Sequence, residues 1–201
     1  MPDQLIRSSP IKPFAFKEWS LICDALMEGE QSVILRKGGI AEKRRGFGFE
    51  HDSFFLLPTH YHAQREETLF DASKPIRWES KEKADAGKEA IFVPAAATLS
   101  LAMELTDWAQ VEALHGLHFW KEETLHARFA YGQANCLHLA VVRVYQVKPV
   151  IELPDSPQFR GCKSWVNLAQ NDLPLFALQP VLSDAEHARR LQKIQQMIQT
   201  A

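Results

Sequence analysis

Leu137-His138-Leu139-Ala140-Val141-Val142-Arg143-Val144-Tyr145-Gln146-Val147 is the stretch that decides the fold. It is rich in β-branched and aliphatic residues and holds no breaker, so it reads as a central strand buried on both faces. The clearest alternation lies upstream, where Leu99, Leu101, Met103 and Leu105 interleave with Thr98, Ser100, Ala102 and Glu104, the period of a half-buried strand. Between these strands Trp108, Val111, Leu114 and Leu117 recur every three residues as one helical face. Lys121 to Ala130 reads as a second short helix, and Gly132 to Asn135 as a turn.

Working toward the N-terminus, Phe54 to Leu57 is a short buried strand that stops at Pro58. Trp19 to Leu26 is apolar at almost every position, breaks at the polar cluster Glu28-Gly29-Glu30-Gln31, and is followed by a second apolar run, Ser32 to Leu35. Two short runs around a glycine-containing turn predict a β-hairpin, with a buried helix as the alternative for the first run, because periodicity does not separate the two at this length. Arg36 to Ile40 and Lys43 to Gly48 are basic and glycine-rich, as in an exposed loop, and His62 to Gly87 is polar enough for a long loop or insertion. Toward the C-terminus, a proline-rich crossing leads to one more strand over 161–168. Ser183 and Glu186 then form a capping box ahead of a helix whose inner face carries Ala188, Leu191, Ile194 and Ile198. The expected architecture is α+β: a single mixed sheet with an N-terminal hairpin, flanking helices and a C-terminal amphipathic helix. Residues 1–13 read as a flexible arm and 14–201 as one domain.

With 46% hydrophobic residues among 201, the chain can bury a full core, which excludes disorder throughout. A formal charge of -2 argues against an obligate nucleic-acid coat or a membrane-binding polycation, leaving room only for a local basic patch. Cys23, Cys136 and Cys162 are widely spaced and odd in number, so they read as reduced thiols rather than as a disulfide framework. No secretory leader and no apolar run of membrane-spanning length is visible, so the expected location is cytoplasmic.

Two sets of residues carry candidate chemistry. Arg36, Lys37, Gly38 and Gly39 suit phosphate, since glycines let backbone N–H groups approach an anion while the cations neutralise it; Lys43, Arg44 and Arg45 extend the patch. Arg128 and Arg143 join this set, because an arginine in an apolar strand such as 137–147 requires a carboxylate, carbonyl or anion partner. His60 and His62, two apart on an extended chain, face the same side and form with Glu66 and Glu67 a candidate set for a divalent metal, the cofactor this sequence suggests. His115 and His118, with His126 or His138, are a weaker metal set, since scattered histidines in an apolar region are usually core residues. Three functional classes follow: binding of nucleotide or nucleic-acid phosphate, metal-dependent phosphohydrolysis, and protein interaction through Trp78, Trp108 and Trp120.

Glu18-Trp19, Ala25-Leu26, Gly29-Glu30-Gln31, Leu35-Arg36-Lys37-Gly38-Gly39-Ile40, Leu57-Pro58-Thr59 with His62, and Gly161-Cys162-Lys163-Ser164-Trp165-Val166 together resemble the bacterial domain-of-unknown-function family 1802, over roughly residues 17–168. That resemblance implies a compact bacterial cytosolic protein and names no reaction. The order of elements is also similar to Nudix hydrolases, but Arg65-Glu66-Glu67 lacks the preceding glycine and the further glutamate that would hold Mg²⁺ against a diphosphate. A second similarity is to ASCH domains of the PUA-like group and their GxKxxxxR element, implying an RNA- or nucleotide-contacting edge. Gly29 and Arg36 match that element, while Gln31 stands where lysine is expected.

Overall fold

The computed structural model describes residues 11–37, 48–78 and 90–201. In chain order the elements are β1 (Phe14–Trp19), α1 (Ser20–Met27), β2 (Val33–Arg36), β3 (Ser53–Thr59), β4 (Ala90–Leu105), α2 (Trp108–Glu112), α3 (Glu122–Ala130), β5 (Leu137–Pro154), β6 (Trp165–Asn167), β7 (Ala177–Pro180) and α4 (Asp184–Thr200). The strands form one mixed sheet in the order β2-β5-β4-β3-β1-β6, with β7 added on β5. Among the described strands β1 and β3 run parallel and the other pairs are antiparallel.

The stretch 137–147 is central, as its composition predicts, and continues to Pro154 in a long hairpin with β4. Two irregularities bend that hairpin. One falls between Val93 and Ala95, where Pro94 has no N–H to give the ladder; the other, between Leu99 and Leu101, turns Ser100 outward so that its hydroxyl meets His187 Nε2 of α4 at 2.8 Å. The bent sheet buries both faces of its middle. Phe54 and Leu56 of β3 enter one core with Phe16, Leu21 and Ile22, while Phe55 and Leu57 enter the other with Ala15, Val93 and Ile151. A strand between two cores needs an unbroken apolar run, which is what 54–57 provides.

The expected N-terminal hairpin is not formed. Residues 20–27 are helical, β2 pairs with β5, and the buried-helix alternative holds. The reason is burial: every residue from Ser20 to Leu26 is enclosed, the polar Ser20 and Asp24 included, so no exposed face marks the helix. Gly29 ends it in the left-handed region (φ 71°), its N–H donating to the Leu26 carbonyl at 3.2 Å, so the glycine of the supposed hairpin turn is a helix C-terminal stop. The helix expected over 108–117 is shorter, ending at Glu112 before a turn through Gly116, whereas α3 and α4 lie where the sequence predicts. Ser183 caps α4 by accepting from the Glu186 N–H at 3.2 Å, and Ile194 and Ile198 are its buried residues among those expected. Of the proposed arm, residues 1–10 lie outside the described part, and Ile11 is buried in the second core. No helix among the described residues is long and apolar enough to cross a membrane.

Candidate functional site

The curvature of the sheet brings its two edges together. Arg36, the last residue of edge strand β2, donates to Ser164 Oγ (3.3 Å), one residue before the opposite edge strand β6, and its guanidinium stands 5.6 Å from the Phe16 ring centre. Along this seam runs a cleft of about 610 Å³ lined by Lys17, Trp19, Arg36, His60, Tyr131, Lys163 and neighbouring apolar residues, within the size range of small-ligand sites. Among the described residues its cations come from β1, β2 and the loop before β6, and none of the described carboxylates lines it. Lys17 Nζ donates to the Gly161 carbonyl at 2.8 Å, so the loop glycine of the GCKSWV element holds a strand lysine in place. Burial pushes the Lys17 ammonium below the usual lysine range; Cys162 opposes this, and the Arg36 and Lys163 charges add to it. Crowded like charges suit an anionic ligand.

Behind the cleft lies a second, internal charge group. The Arg128 guanidinium packs against an edge-to-face pair of indoles, 3.9 Å from the Trp120 ring centre and 4.7 Å from that of Trp19, and donates to Glu67 Oε2 at 3.4 Å. Burial lowers its pKa, and Glu18 and Glu67 act against that. Glu18, only 1% exposed, accepts the Trp19 N–H on Oε1 at 2.8 Å, while Oε2 has no hydrogen-bond partner among the described residues. Burial raises its carboxyl above the normal range against the pull of Arg36 and Arg128.

The family model described as "Domain of unknown function (DUF1802)" matches residues 15–193. The chain belongs to the DUF1802 family. No curated protein matches it. Among solved structures, an ASCH protein of Zymomonas mobilis is similar at 14% identity and a TM-score of 0.40, covering 89% of this chain and 92% of that one. A serine-to-alanine mutant of the Zymomonas mobilis ASCH protein gives 13%, 0.42, 90% and 94%.

In this DUF1802 chain four of the six stretches quoted for the family resemblance meet at the cleft: Trp19, Arg36, Leu57-Pro58-Thr59 and Gly161-Cys162-Lys163 line it, with Ser164 as the Arg36 acceptor, whereas Ala25-Leu26 and Gly29-Glu30-Gln31 do not. Of the phosphate set, Arg36 lines the cleft and Arg128 lies behind it. Lys37 does not line it; its ammonium caps the end of α3, donating to the carbonyls of Phe129 (3.0 Å), Ala134 (2.5 Å) and Cys136 (3.0 Å). Gly38, Gly39, Lys43, Arg44 and Arg45 lie outside the described residues. Arg143 is elsewhere: it is paired with the Asp184 carboxylate at the start of α4, five residues along β5 from the His138 that stands opposite Arg36, about 17 Å away.

The metal set separates. His60 lines the cleft with Nε2 2.8 Å from the Trp78 carbonyl, the His62 ring neighbours Tyr61, Glu66 is exposed and Glu67 serves Arg128. Among the described residues, the metal-capable side chains that do gather are Glu104, Cys136 and His138. His115 and His118 line a separate cavity of about 260 Å³, and burial pushes the His118 imidazole down to about 4. The three tryptophans are held within the fold: Trp120 is buried, Trp78 donates to Asp24 at 2.8 Å, and Trp108 packs on His126 and Phe129. Sequence reasoning passed over Lys17 and Tyr131. The available signal for Lys17 was a lysine inside the apolar run Phe14-Ala15-Phe16; for Lys163 it was its place in the GCKSWV element.

Proposed function

We propose that the cleft binds the phosphate of a nucleotide or of single-stranded nucleic acid, with Lys17, Arg36 and Lys163 contacting the anion and Trp19 and Tyr131 offering faces to a base. The observation that carries this reading is the convergence of three cations from three separate chain segments on a cleft that, among the described residues, no carboxylate lines. Aromatic and cationic side chains in one groove match the needs of unpaired nucleotides, whose bases stack while the backbone is neutralised. The pairing is sequence-tolerant, and it fits a chain of near-neutral net charge because the positive potential is local.

The test is anisotropy titration of labelled single-stranded RNA and DNA, with nucleoside triphosphates as competitors, in low and high salt. Binding is expected to weaken with salt, with a log–log slope near -0.7 per phosphate contacted. Lys163→Ala, at an exposed loop position, should lower both affinity and slope. Affinity indifferent to salt and to Lys163→Ala overturns the reading.

A further inference from the structure

Arg36, His138 and Glu104 are register partners across the adjacent strands β2, β5 and β4, so their side chains leave the same face of the sheet in a row. Cys136, two residues before His138, approaches this row from the α3 side, its N–H donating to the Phe129 carbonyl at 3.2 Å. One ligand atom from each of Glu104, Cys136 and His138 lies within 4.8 Å of the others. We propose that these three residues bind a divalent transition-metal ion of the zinc type. This goes beyond the phosphate-binding reading and does not depend on it.

The donor set selects the ion. A thiolate and an imidazole favour zinc and its neighbours over magnesium or calcium, and a carboxylate completes three ligands with one tetrahedral position left for water or a ligand. Around one zinc ion the donor atoms stand about 3.5 Å apart, so the group needs a contraction of about 1 Å, which the exposed Glu104 side chain can supply by a rotamer change. Lys37 Nζ lies 3.8 Å from Cys136 Sγ, but three backbone carbonyls already anchor that ammonium and share its charge. Burial and Glu104 keep the Cys136 thiol above its ordinary pKa against Lys37; on binding, the metal replaces the thiol proton, which passes to solvent.

The untagged, reduced and chelator-stripped chain is titrated with Co²⁺ alone and then with Zn²⁺. The expected result is one equivalent of Co²⁺ bound with thiolate-to-cobalt absorption in the near ultraviolet, displaced by Zn²⁺. Cys136→Ser should abolish the absorption and Cys162→Ser should keep it. Glu104→Gln, at an exposed position, should weaken Zn²⁺ at least about tenfold, since even outer partners of metal ligands are worth about 10–100-fold. Absence of the absorption at stoichiometric Co²⁺, or its survival in Cys136→Ser, overturns the site. Should Cys136→Ser fail to fold, Glu104→Gln decides, and unchanged Zn²⁺ affinity there overturns it equally.

Discussion

Arg36 and Arg143 both emerge from apolar strands, yet Arg143 meets the Asp184 carboxylate at the start of α4, whereas Arg36 faces a cleft shared with Lys17 and Lys163. The first arrangement is self-contained: cation and carboxylate tie β5 to the C-terminal helix. The second leaves positive charge at a surface cleft, offset only in part by the buried Glu18 behind it, whose ionised form burial disfavours and Arg36 and Arg128 favour. An arginine in a strand therefore does not by itself mark a site. What marks one is whether the surrounding fold supplies the opposite charge or leaves that to a ligand.

Variants can break this contrast. Arg128→Ala should have the largest effect, destabilising the chain by about 3 kcal/mol in chemical denaturation, because it leaves Glu18 and Glu67 without the cation they share and removes the packing on Trp120. Arg36→Ala combined with Lys163→Ala should cost about 2 kcal/mol of oligonucleotide affinity, roughly thirtyfold in titrations, as two charge-assisted contacts are lost. Arg143→Ala should cost about 1 kcal/mol of stability, since Asp184 is largely exposed, and leave oligonucleotide affinity unchanged. A fall in affinity with Arg143→Ala equal to that of the double variant would end the distinction between the two regions.

The smallest and most specific effect concerns Glu18. Its carboxyl titrates above its unfolded value, so the folded state binds the extra proton and stability declines as pH rises from the unfolded pKa through the folded one. Glu18→Gln, which keeps an acceptor for the Trp19 N–H, should flatten that decline in denaturation curves between acid and neutral pH. A decline that persists unchanged in the variant assigns it to other groups.

Strands β3, β4 and β5 and helices α3 and α4 were legible because their signals are local: an unbroken apolar run, a two-residue alternation, a helical face with a capping serine. Helix α1 was ambiguous because it has only eight residues and is enclosed from Ser20 to Leu26, and an apolar run that short reads equally as a buried strand. Strand β7 was missed because its residues are mostly exposed and, among the described strands, it pairs with β5 alone. Arg36 was legible as a candidate anion contact from its basic, glycine-rich surroundings. Its partners were not, since Lys17 and Lys163 are 146 positions apart and meet only where the sheet curls.

The amino-acid sequence by itself determined the α+β class, the central position of 137–147 and the helical C-terminus, because these follow from periodicity and burial along short stretches. Only the tertiary structure decided that the Arg36 edge and the GCKSWV loop face each other, that Arg143 is neutralised, and that Glu104, Cys136 and His138 gather. Each of those outcomes depends on strand register and on the bends at Pro94 and Ser100, which set distances between residues remote in the chain.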